Sequence, residues 1–192
     1  MNSEAAQAAN VVCVYATNKL RGKLTLDGNN EIPRARSVER SIGCNPLSGW
    51  HAHLKILQRR QCVIFIHDQS RFPLILPCLK KPDFEKLDWY FQDVFMNTLL
   101  RLGMPSEVVN EAANHIAPLR FDHTLDRSVM GTLNQITADL EHQLWYERQA
   151  INDLLPYSTS AWLADRPCRV KGEKDCIWPV DAMRKIVART IH

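Results

Sequence analysis

The sequence has no Cys-x-x-Cys pair, no block of five or more like charges, and no apolar run near the roughly 18 residues that a bilayer-crossing helix needs. Without paired cysteines, a zinc ribbon or a thioredoxin-type site is disfavoured. The six cysteines, at positions 13, 44, 62, 78, 168 and 176, are scattered. Cys13, Cys62 and Cys78 stand among apolar neighbours and read as small core residues. The net charge of +3 comes from 24 basic and 21 acidic residues spread along the chain, so neither a nucleic-acid tail nor a polybasic membrane anchor is expected. The opening MNSEAAQAAN lacks the basic start and apolar stretch of a signal peptide. The expectation is a cytoplasmic protein without a membrane partner. Gly-x-Ser-x-Gly, a Walker loop, a dinucleotide fingerprint and His-Glu-x-x-His are all missing, so the common hydrolase and nucleotide-enzyme classes lose support. No cofactor and no metal are expected on these grounds, and whether the chain is an enzyme stays open.

What is present reads as one domain over residues 1–192, since 45% hydrophobic residues in a chain of that length can bury a sizeable core. Residues 1–10 read as a frayed N-terminus. Residues 27–48 carry turn signals, two prolines and Arg34, Arg36 and Arg40, and read as a loop or insertion. A β-branched run at 11–15 predicts a short buried strand. Residues 51–57 and 62–66 predict two strands joined by a polar hairpin connection, and 72–76 completes an antiparallel meander. Apolar spacing from Leu87 to Leu102 predicts a helix that opens at Pro82 and Asp83 and ends at Gly103. Shorter helices are predicted at 105–115 and 180–191, and a last strand at 119–121. Strands followed by helices give an α+β domain, with helices packed on one face of an antiparallel sheet.

The stretch HTLDRSVMGTLN, residues 123–134, opens a helix predicted to run to about Tyr146. Val129, Leu133, Ile136, Leu140 and Leu144 fall on one apolar stripe, while Arg127, Gly131 and Asn134 fall nearly opposite. An arginine in the first turn faces the positive end of the helix dipole, at a cost of about 0.3–1 kcal/mol unless an anion is near. A glycine inside a helix costs about 1 kcal/mol against alanine. Two readings stand. In the first, Asp126 caps the helix, Arg127 meets a carboxylate elsewhere and Gly131 admits an aromatic ring. In the second, helix-start amides, the Ser128 hydroxyl and the Arg127 guanidinium take a phosphate or carboxylate, with Gly131 and Asn134 as one flank.

Residues 124–134 also resemble the signature Thr-Asn-Asp-Arg-Ser-Val-Leu-Gly-Ser-Met-Asn of a family of small bacterial domains of unknown function. Gly49-Trp50, Arg59-Arg60, residues 62–65 and Lys80-Lys81 look like that family's further motifs, so the resemblance covers about residues 11–140. Leu125 and Gln135 depart from it, standing where the family has Asn and Asp. The resemblance implies a relative and no reaction.

His51 and His53 share a strand face and His67 ends the next strand, so three imidazoles form a conceivable metal set. Ordinary strand histidines outweigh it, for no carboxylate or thiol partner is evident. His123, beside Asp122, is the candidate general base if the chain cleaves RNA without a metal. Trp50, Arg59 and Arg60 suggest a basic, aromatic surface. Three functions remain. The leading one is a module that binds a protein or nucleic-acid partner through Asp126, Arg127, Ser128, Gly131 and Asn134, aided by Trp50, Arg59 and Arg60. A metal-independent ribonuclease and a small-molecule anion sensor are the alternatives.

Overall fold

The computed structural model describes residues 11–32, 45–170 and 174–190. The expected frayed segment 1–10 lies outside these residues, as does the 33–44 part of the expected insertion with its three arginines. The described flanks of that insertion are anchored: Ile32 and Leu47 are buried, and Glu31 bridges to Arg120.

The described strands form one five-stranded sheet in the order β4-β3-β2-β1-β5. They are β1 (Val12–Ala16), β2 (Trp50–Leu57), β3 (Arg60–His67), β4 (Pro73–Leu79) and β5 (Leu119–Asp122). The predicted meander is present: β2 pairs antiparallel with β3, and β3 with β4. Gln58 and Arg59 close the first hairpin with φ of 45° and 66°, the doubly left-handed pair that matches the twist of two-residue hairpins. β1 adds what the meander does not contain, pairing parallel with both β2 and β5. The fold is α+β with a mostly antiparallel sheet. The helices are α1 (Asn18–Arg21), α2 (Leu87–Arg101), α3 (Ser106–Ala113), α4 (Arg127–Tyr146), α5 (Pro156–Ala164) and α6 (Pro179–Ala188).

Helices cover both faces of the sheet, which corrects the expectation of one covered face. Strand alternation explains why. On β3, Val63 and Phe65 join a core with Leu87, Phe91, Phe95, Val109, Met183 and Val187 of α2, α3 and α6. Their neighbours Cys62, Ile64 and Ile66 join a second core against α4. A strand apolar at consecutive positions has two faces to bury. All five residues of the predicted stripe, Val129, Leu133, Ile136, Leu140 and Leu144, lie in that second core. Burying each such side chain contributes about 1.5–3 kcal/mol. α4 therefore lies along β2 and β3 with its polar side outward.

Candidate functional site

α4 begins at a fixed point. The Asp126 carboxylate accepts the amides of Ser128 at 2.7 Å and Val129 at 3.0 Å. Those bonds hold the Asp126 carboxyl below its ordinary range. Two of the helix-start amides offered above to an outside anion are thus already satisfied from within.

The Asp126 amide in turn donates to His51 Nε2 at 2.7 Å. A nitrogen that accepts carries no proton, so the His51 proton sits on Nδ1, which donates to Asp68 Oδ1 at 2.6 Å. His51 is buried and fastens the start of α4 to the sheet. Gly49 makes room for this link: at φ +88° it lies where a Cβ would come within 3.1 Å of Asp68 Oδ2. His67 pairs across the hairpin with Trp50, and His51 with Ile66. Cross-strand partners share a face, so His67 is on the opposite side of the sheet from His51 and His53. The three imidazoles do not converge. His67 donates from Nε2 to the Ser48 carbonyl and uses Nδ1 toward Ser70.

Beside this start lies a groove of about 700 Å³. Arg127, Ser128, Gly131, Thr132 and Asp139 form its α4 wall, and the segment after α5, with Arg166 and Arg169, forms the other. Nothing stands within 4 Å of where a Gly131 Cβ would be. Gly131 therefore faces open space and admits no aromatic ring. Arg127 and Arg169 are exposed, and neither has an ion-pair partner among the described residues. Arg166 is engaged, 3.7 Å from Asp139 and 4.8 Å over the Trp162 ring.

Behind the groove is a residue that sequence reasoning did not single out. Arg71 is 7% exposed and reaches Ser128 Oγ with Nη2 at 3.2 Å. Its Nε and Nη1 are buried without a hydrogen-bond partner. Its backbone is left-handed at φ 59°, a conformation that costs a non-glycine residue of order 1 kcal/mol. It draws the Asp126 carboxyl further down, and it opposes protonation of His67. No carboxylate lies within ion-pair distance of it among the described residues. A turn arginine between two apolar runs gives no sign in the sequence that it will be buried.

The other candidates lie elsewhere. Asn134 is exposed on α4 but does not line the groove. His123 is 76% exposed with Nδ1 3.2 Å from Asp122, and is likewise no part of the wall. Trp50 is fully buried, donating to the Leu47 carbonyl at 2.8 Å and meeting Phe91 edge-on at 5.0 Å. A buried ring offers no stacking surface, so Trp50 is a core residue and not a binding one. Arg59 and Arg60 are exposed at the hairpin tip. That tip is tied to the far end of α4 through Gln58 and Gln149, and 20 helical residues span about 30 Å. The fold separates the hairpin arginines from Arg127.

A family model described as a domain of unknown function, DUF6933, matches residues 13–182. The chain belongs to this family. The DUF6933 match takes in β1 from Cys13 onward, the other described strands, the whole of α4 and both walls of the groove. No curated protein matches the chain. Among the described residues no helix is long and apolar enough to cross a membrane.

Proposed function

We propose that this DUF6933 chain recognises a small phosphate-bearing molecule in the groove between the start of α4 and the Arg166–Arg169 segment. The observation that carries this reading is Arg71. A buried guanidinium with two unpartnered nitrogens and no carboxylate within ion-pair distance among the described residues is destabilising on its own account, by several kcal/mol in known cases. It supplies the fixed positive charge that favours an anion close by. Ser128 passes that charge forward: its hydroxyl accepts from Arg71 and keeps its own proton to donate into the groove. Arg127 and Arg169 stand at the rim to meet phosphate oxygens, and the open backbone at Gly131 allows close approach. A volume near 700 Å³ suits a small molecule. The segment that resembles a bacterial domain signature supplies Arg127, Ser128 and Gly131, so the resemblance and the groove concern the same stretch.

Thermal melting with inorganic phosphate or pyrophosphate, against chloride of equal ionic strength, tests the reading. A hundredfold excess over the dissociation constant stabilises by about 2.7 kcal/mol. Arg127→Ala and Arg71→Met are each expected to remove the phosphate-specific shift. Identical melting curves in phosphate, pyrophosphate and chloride would overturn the proposal.

A further inference from the structure

The far end of α4 carries a second surface, built from residues that the groove does not use. Trp145 and Tyr146 are each 75% exposed, and His142 stacks on Tyr146 at 6.3 Å with the rings 11° from parallel. Two adjacent large aromatics left in water are informative in a way that a lone exposed leucine is not.

The hairpin tip is fastened to this end. Gln58 donates from Nε2 to the Gln149 carbonyl at 3.0 Å and accepts the Ile151 amide at 2.9 Å. Gln58, Trp145, Tyr146 and Arg148 line one hollow of about 660 Å³. Arg59, Arg60, Lys80 and Lys81 line another of about 580 Å³. Consecutive residues Gln58 and Arg59 join the two. All five cations are exposed, and none has an ion-pair partner among the described residues. Glu147, Asp153 and Asp83, whose carboxylate accepts the Lys80 amide at 2.6 Å, are acids of the same region, three against the five cations.

We infer that this surface binds single-stranded nucleic acid, with bases stacking on Trp145 and Tyr146 and phosphates running past Arg148, Arg59, Arg60, Lys80 and Lys81. Exposed rings together with unpaired cations match the two needs of an unpaired strand, a platform for base faces and charge for phosphates. A duplex keeps its base faces stacked inside and can use only the charge. An acidic peptide can use the charge but brings no flat face to each ring.

The test is fluorescence anisotropy of the full chain with a short labelled single strand of mixed sequence, the same sequence as duplex, and labelled polyglutamate. The single strand is expected to bind tightest, with an affinity that falls as salt rises. Trp145→Ala and Tyr146→Ala are each expected to weaken it about tenfold, with melting temperature unchanged because both side chains stand in solvent. Arg59→Ala with Arg60→Ala is expected to flatten the salt dependence. Absence of single-strand binding at low salt would overturn the inference. So would equal binding of duplex or polyglutamate, or full affinity in both aromatic variants.

Discussion

Gly131→Ala separates helix stability from ligand recognition at one position. Gly131 lies in the second turn of α4, and an added Cβ meets nothing within 4 Å. The folded state therefore gains no clash, while the unfolded chain loses backbone freedom. Alanine is better than glycine in a helix interior by about 0.8–1.0 kcal/mol. For a chain of this size, each kcal/mol moves the melting temperature by about 2–4 °C. A rise of that amount is expected by circular dichroism in phosphate-free buffer. The same Cβ projects into the groove and narrows the approach to the backbone. In phosphate or pyrophosphate the variant is therefore expected to gain less stabilisation than the parent chain, so the two melting temperatures converge or cross. A fall in melting temperature without ligand would refute the open-space geometry. A rise that persists unchanged at saturating phosphate would refute the role of the glycine in recognition.

Asp126→Ala removes an acceptor for two helix-start amides and is expected to cost about 1 kcal/mol by urea denaturation. Because its folded carboxyl is held below the ordinary value, the contribution of the cap is complete above the unfolded carboxylate range and is lost as pH falls below about 4. His67 acts with the opposite sense of charge. Burial pushes its imidazole down to about 4, so the unfolded state takes up a proton first as pH falls below about 6.5. Stability is expected to be level above that pH and about 1.4 kcal/mol lower at pH 5.5. The half-buried His53, lowered by burial and by Lys55 and Lys19, adds to the loss. Imidazole resonances that show His67 titrating near 6.5 in the folded protein would contradict this.

The sheet meander and α4 were legible because their signals are local. The unbroken apolar run over 62–66 and the 3.6-residue spacing of Val129, Leu133, Ile136, Leu140 and Leu144 announce themselves without the rest of the chain. So does Asp126 as a cap. The parallel placement of β1 between β2 and β5 left no such mark, since parallel pairing has no turn to announce it. α5 has no mark in the sequence, since PYSTSAWLA carries no apolar stripe at helical spacing; it is held by the fold, where Ser160 is buried and accepts the Ile75 amide at 3.0 Å. The expectation of Trp50 at the surface fails because Trp50, Ala52 and Leu54 alternate on one face and all enter the first core. That alternation was the available signal. Within the site, Arg127 and Gly131 were readable from helical geometry. Arg71, Arg166 and Arg169 come from distant stretches that only the tertiary fold assembles.

β1 is the second strand from one edge of the sheet, and its partner on that side is β5, with Val12 opposite Leu119. During synthesis β1, the earliest of the described strands, must wait with one side of its hydrogen-bonding ladder open until the segment at 119–122 has emerged. Closing so long a loop is entropically costly and slow compared with zipping the local hairpins. The meander can form beforehand, but the β5 side of the sheet cannot. A chain cut anywhere before residue 119 would expose an unpaired, strongly apolar strand edge, open to pairing with other chains.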